Sequence, residues 1–437
     1  MSRFTKYTYI LFGLGATSPL LALVVGGRVV SLMTIAMFFV FADLILSKKN
    51  KAGLEYKRGV LYKLFMGWMV ISIFACLFGF VFFISFLPEF SYATIGFIPK
   101  IVLYLLLLYL LGVNYKSKEK VSLIIKGVKY GVALNLTWSI VDAVMYYSIH
   151  ESLTNNVFKS YIVATDMRLG IASIVNGITI RSVGLNNDPA TIGFFAMAAC
   201  AYAYVVNKKW IILICLLSCA ACVSTLGFAG IIMITLYEVC FRMNIKNMIK
   251  YGIVVVLLLF IGTSCLAIIE EGVMFEMVKA VTERVESKGD GQESSGVRGM
   301  FIKKFPEAIS NMPTTLLLGT GYFTSVYPYY KAGVHWDDGS ENPTSMENTY
   351  IDNFFSFGLI GFVLFLLFHY DLFKIYQKKL RMNSEDVFVI YSFAVSAPIA
   401  YMFYHYILYS VLMLVFITSI LLYKQNNLSE ECLKYSV

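Results

Sequence analysis

Apolar stretches of about fifteen to twenty-five residues follow one another along nearly the whole chain, separated by short polar loops. Stretches of that length suit helices that cross a bilayer, whereas membrane strands would run about ten residues with strict alternation. The pattern predicts about twelve spans, at 7–25, 29–46, 64–86, 98–114, 128–148, 189–206, 210–223, 227–241, 251–269, 351–370, 388–406 and 408–423. The expected fold class is an all-α polytopic membrane protein with one large external loop that itself contains helices. No repeat relates the two halves of the chain.

Residues 270–350 break the rhythm with a long polar island that carries Arg298, Lys303, Lys304, His335, Asp337, Asp338, Glu341 and Glu347. The chain thus divides into 1–269, holding spans one to nine and a smaller outer segment at 149–188; the large outer loop 270–350; and 351–437, holding the last three spans and a tail. A polar loop of this length between apolar spans is where chemistry is expected.

Composition strengthens the membrane reading. The chain is 58% hydrophobic and only 14% charged, against roughly 45–50% and about 25% for a soluble domain. The first apolar segment follows Arg3 and Lys6, lacks a small-residue cleavage site and is succeeded at once by a second span, so it reads as a retained helix. Of the eight cysteines, all but Cys432 fall in apolar runs. The Cys219/Cys222 spacing imitates a redox motif but lies mid-helix with no second pair, which reads as buried, inert thiols.

Charge then orients the chain. With the N-terminus in the cytoplasm, about 24 of the 36 lysines and arginines fall on the cytoplasmic side and about 12 outside, concentrated in short loops at helix ends. The net charge of +9 is therefore an orientation signal and gives no reason to invoke nucleic acid. Both termini are expected in the cytoplasm, and the 149–188 and 270–350 segments outside.

Four places in those outer segments could carry chemistry. Arg298 heads an expected amphipathic helix, 297–311, and shares a face with Phe301, Ile302, Phe305 and Ile309, while Lys303, Lys304 and Glu307 lie on other sides. A guanidinium on a greasy face needs an anion: it is either a phosphate ligand or a structural or snorkelling cation. Arg181 opens the run to Pro189, in which Asp188 has the place of an N-cap before a proline at the first helical position. Its guanidinium either binds an anion or anchors at the interface. Glu347 precedes the tenth span as a general base, or, with Thr344, as half of a capping box. His335 with Asp337 and Asp338 has no second histidine at ligand spacing, so no metal is expected. Asp43, Asp142 and Glu238, within or at the ends of spans, either line a polar cavity or pair internally.

The run Val297-Arg-Gly-Met-Phe-Ile-Lys-Lys-Phe-Pro, the Gly319-Thr-Gly321 turn and the stretch from Glu347-Asn-Thr-Tyr to Gly358-Leu-Ile-Gly361 resemble the Wzy-type O-antigen and capsule polymerases and their relatives, the O-antigen ligases. The Arg181–Pro189 run is similar to that family's earlier loop. Ligases carry His-Asn where this chain has Glu347-Asn348, and Ser-Arg-Gly where it has Ser224-Thr-Leu-Gly227, so the likeness points to a polymerase. The resemblance implies a GT-C-like arrangement in the bacterial inner membrane and an inverting, metal-independent glycosyltransferase that needs no cofactor. Its donor and acceptor would be glycans on undecaprenyl pyrophosphate, and a chain-length regulator in the membrane would be a partner. Glu347 and Arg298 would be catalytic, with Arg181, Arg298 and Lys303 on the pyrophosphate. Rival readings are an O-antigen ligase, a lipid-linked oligosaccharide flippase or other transporter, and a metal-dependent prenyl-phosphate-sugar transferase. The last would need acids in the first outer loop, which is little more than Gly26-Gly27-Arg28.

Overall fold

The computed structural model describes residues 1–25, 28–47, 57, 59–85, 88–165, 171–174, 177–180, 182–186, 188–242, 294–311, 316–334, 348–402, 404 and 409–434, without the side chains of 88–89, 164–165, 171–174, 177–180, 241–242, 294–300 and 424–434. Helices dominate: α1 (Arg3–Thr17), α2 (Leu32–Leu46), α3 (Val60–Phe83), α4 (Pro88–Gly96), α5 (Ile98–Gly112), α6 (Ser117–Ile149), α7 (Leu153–Val157), α8 (Lys159–Thr165), α9 (Pro189–Val205), α10 (Lys209–Ala221), α11 (Thr225–Arg242), α12 (Ser294–Ser310), α13 (Tyr327–Lys331), α14 (Thr349–Lys379), α15 (Glu385–Tyr401) and α16 (Ser410–Lys434). Two antiparallel strand pairs, β1 (Ala22–Val25) with β2 (Arg28–Ser31) and β3 (Ile171–Ile174) with β4 (Gly177–Ile180), and two 3-10 turns, Phe323–Val326 and Leu380–Met382, complete the described elements.

Four helical stretches are long and apolar enough to cross a membrane: Val60–Phe83, Phe90–Gly112, Ser117–Ile149 and Thr349–Met382. Five more are apolar but shorter, among them Leu32–Leu46 and Pro189–Val205. Their flanks expose Phe38, Phe74, Val81, Val144, Leu213 and Leu236, side chains that water would drive inward, and this is compatible with an all-α membrane protein. The expected span 251–269 lies outside the described residues.

Close helix crossings hold the bundle. A Cβ at Gly127 of α6 would stand 2.1 Å from the Ile10 carbonyl oxygen, and one at Gly131 would stand 1.7 Å from Thr17 Oγ1. The Gly-xxx-Gly spacing therefore lets α1 lie directly on α6, as small residues do between membrane helices. One continuous core of buried residues runs from Tyr9 and Phe12 through Phe65, Trp68, Phe194 and Phe368 to Phe416.

Among the boundaries that differ from the expected ones, three bear on the packing. The first span ends at Thr17, and Ala22–Val25 and Arg28–Ser31 pair as antiparallel strands. A β-branched run of Val24, Val25, Val29 and Val30 suits strands as well as it suits a helix, and Gly26-Gly27 in the sequence suit a tight turn. The fourth span is a pair, α4 and α5. The fifth starts at Ser117, so that α6 is about 50 Å long and carries Lys118, Lys120, Lys126 and Lys129 on its first turns. That end of the bundle also holds the Asp43–Lys120 pair at 2.6 Å and the Lys6–Glu119 pair at 3.4 Å.

Candidate active site

Helix α14 is broken. Gly358 has φ 67° and ψ −176°, which separates Thr349–Phe357 from the rest and strands backbone groups that an apolar environment would leave unsolvated. The Gly319-Thr-Gly321 turn takes them up. Thr320 N and Gly321 N donate to the Phe355 and Ser356 carbonyls, each at 2.9 Å, while Leu359 N and Ile360 N donate to Leu316 O at 2.9 Å and Leu317 O at 3.3 Å. The join has no room for side chains. A Cβ at Gly319 (φ +81°) would meet Ser356 O at 2.4 Å, and one at Gly358 would meet Leu317 O at 2.3 Å. The two glycine motifs of the sequence are thus one clasp.

Beside it Asp352, 2% exposed, accepts from Ser325 Oγ at 2.7 Å and Ser356 Oγ at 3.0 Å. Asn353 is fully buried, and among the described residues neither its side-chain oxygen nor its nitrogen has a hydrogen-bond partner. The helix start is fixed by Asn348, whose side chain accepts from Ile351 N at 3.1 Å and donates to Met402 O at 3.0 Å. Thr349 Oγ1 donates to Tyr404 O at 2.6 Å. Helix α14 begins at Thr349 with Asn348 as its cap, and the Thr344–Glu347 pair lies outside the described residues.

Helix α12 docks on this assembly through its apolar stripe. Phe301 and Ala308 are buried with Val326, Tyr329, Val334 and Phe355, and Phe305 and Ile309 pack on them. The Phe305 ring lies 5.7 Å from that of Phe354 and 5.6 Å from that of Phe355, and Tyr329 OH donates to Phe301 O at 2.9 Å. Burial pushes the Tyr329 phenol above its ordinary value, so it stays a donor. Ile302, expected in the stripe, is instead 63% exposed. Lys303 is exposed, and Lys304 pairs with Glu307 at 2.7 Å on the outer side. Arg298 lies on α12 one turn before Phe301; its side chain falls outside the described residues.

The earlier loop is woven into the same end of the molecule. Asp188 accepts from Ala190 N at 2.8 Å and caps α9 ahead of Pro189. Asn135 Oδ1 accepts from Leu185 N at 2.9 Å and Asn186 Nδ2 at 2.6 Å, and Asn135 Nδ2 donates to Thr17 O at 3.0 Å. Tyr409 OH donates to Asn186 Oδ1 at 3.2 Å. Met402 and Tyr404 thus touch the start of α14, and Tyr409 touches the 182–186 loop. Asp142 is buried and accepts from Ser152, Thr154 N and Ser182 at 2.9–3.0 Å, a tie between the two ends of the 149–188 segment. Arg181, His335, Asp337, Asp338, Glu341 and Glu347 lie outside the described residues.

The other in-span acids pair internally. Asp43 accepts from Lys120 and from Tyr9 OH at 2.8 Å, and Glu238 accepts from Tyr391 OH at 2.7 Å. Among the described cysteines, Cys219 and Cys222 are buried, whereas Cys240 is exposed. Asp352 and Asn353 had no assigned role from sequence. Two adjacent polar residues inside an otherwise apolar span are the signal that marks them. No protein-family model matches the chain, and no curated protein matches it.

Proposed function

We propose that the protein is an inverting glycosyltransferase that polymerises undecaprenyl-pyrophosphate-linked oligosaccharide repeat units into O-antigen or capsular polysaccharide. It works at the outer face of the bacterial inner membrane with about twelve spans and both termini in the cytoplasm. The observation that carries this reading is the docking of the Arg298 helix, through Phe301 and Phe305, on the first half of α14, whose cap Asn348 directly follows Glu347. The contacts of Met402 with Asn348 and of Tyr409 with Asn186 add support, since Asn186 belongs to the loop that follows Arg181 in the chain.

In the proposed reaction an acceptor sugar hydroxyl attacks the anomeric carbon of the donor. The new glycosidic bond forms as the bond from that carbon to the pyrophosphate oxygen breaks, which inverts the centre. The hydroxyl proton passes to the Glu347 carboxylate. Negative charge gathers on the departing lipid pyrophosphate, where Arg298 and Arg181, with Lys303 in reserve, stabilise it; removal of one such group commonly costs about 10²–10³ in rate. Guanidinium groups grip a diphosphate bidentately, so this scheme asks for no metal. Asp352 and the Gly319–Gly358 clasp hold the start of α14 rigid beneath the base.

The test is direct. Arg298→Ala and, separately, Glu347→Gln should abolish the ladder of long glycan chains on a gel while the protein is still made in normal amounts. Normal ladders from both variants would overturn the site. The purified wild type in detergent, given only repeat-unit donor, should lengthen it. A ligase would not, and a flippase would need a sealed vesicle.

A further inference from the structure

A second feature lies at the other end of helix α15. Glu385 begins that helix and Met402 follows it, so the clasp and this feature are separated by its full length. Here a crevice of about 310 Å³ opens between α6, α9, α10 and α15. Its walls are apolar: Val132, Leu136, Ala198, Ile211, Ile214 and Phe393. Its rim is cationic, with Lys129 and Lys208, and Trp210, 61% exposed, stands beside them.

The two lysines differ. Lys129 forms an ion pair with Glu385, which also accepts from Tyr202 OH at 3.1 Å. The Lys129 ammonium beside it holds the Glu385 carboxyl below its ordinary value. Lys208 is exposed and has no carboxylate partner among the described residues. A greasy slot with an unspent cation at its mouth and an interfacial tryptophan matches one kind of molecule: an anion carried on a hydrocarbon chain. Basic pockets between membrane helices hold anionic lipid headgroups in this way, and tryptophan rings settle at headgroup depth.

We propose that this crevice binds an anionic glycerophospholipid, with one acyl chain along the Leu136–Ile214 wall and the phosphate on Lys208. A zwitterionic lipid offers the same chain but places its own ammonium near Lys208, so headgroup charge sets the preference. The site is independent of the reaction proposed above.

Native mass spectrometry of the full chain in detergent tests this, with phosphatidylglycerol and phosphatidylcholine of identical acyl chains in equal amounts. The wild type should retain phosphatidylglycerol preferentially. Lys208→Gln should weaken that retention about five-fold, the size of one lysine–headgroup attraction. Ala133→Trp adds bulk at an exposed position on the crevice lining and should remove retention of both lipids there. Equal retention of the two lipids by wild type, an unchanged preference in Lys208→Gln, or equal binding of acyl-free glycerophosphate would overturn the proposal.

Discussion

At the scale of single residues, backbone geometry at the clasp makes a demand that can be measured. Gly319 and Gly333 both sit at positive φ, +81° and +78°. Only the first is crowded: its Cβ would meet Ser356 O at 2.4 Å and Gly358 N at 2.5 Å, whereas a Cβ at Gly333 meets nothing within 4 Å. Alanine at either position takes on about 1–2 kcal/mol of left-handed strain. At Gly319 it must also push the turn off the broken helix and release the backbone bonds it supplies, for a total of roughly 3 kcal/mol or more. Gly319→Ala should therefore lower the melting temperature in detergent clearly more than Gly333→Ala, and equal losses would show that the clasp does not hold α14. The glycines were visible in the sequence as separate motifs. Their pairing was not, because it depends on a break at Gly358 that no local pattern announces inside so apolar a run.

At the scale of elements, helix α12 packs on the described part of the fold through the stripe of Phe301, Phe305, Ala308 and Ile309. The 3.6-residue period marked Phe301, Phe305 and Ile309 correctly, but placed Ile302 with them; the stripe closes on Ala308 instead. The pair of β1 and β2 escaped the same reasoning because an apolar β-branched run has no helical or strand period of its own. Phe301 is fully buried against Tyr329 and Phe355, and truncation of such a phenylalanine costs roughly 3–5 kcal/mol. Spent on one short helix, that loss should free α12 without unfolding the bundle. Phe301→Ala is expected to make the α12 region readily cleaved by added protease and to suppress polymer formation, while the main thermal transition moves little. A collapse of the main transition would instead mean that α12 belongs to the body of the fold.

At the scale of the whole molecule, the two ends of the bundle differ in what they could bind. One gathers Lys6, Lys116, Lys118, Lys120, Lys126 and Lys129, with Asp43, Glu119 and Glu385 set among them. The other gathers amide and hydroxyl groups around Asn135, Asn186 and Asn348, with the Asp352 carboxylate among them. Lysines at helix ends favour the cytoplasm, and hydroxyl and amide groups suit a sugar, so the proposed orientation puts the glycan at the end that holds Asn186 and Asn348. Charge counting could reach this from sequence alone, because it needs only the order of the helices. The meeting of the 182–186 loop with Tyr409 could not be reached that way, because it joins residues far apart in the chain. Orientation can be checked in intact cells with a maleimide that does not cross the membrane. Lys126→Cys and Lys303→Cys both fall at exposed positions, on α6 and α12 respectively, and Cys240, the exposed native thiol, is replaced by serine in both. The residue-303 thiol should label once the outer envelope is permeabilised, while the residue-126 thiol should label only after the inner membrane is broken. The opposite order would place α12 in the cytoplasm, where a polymerase fed by lipid-linked sugars on the outer face could not use it.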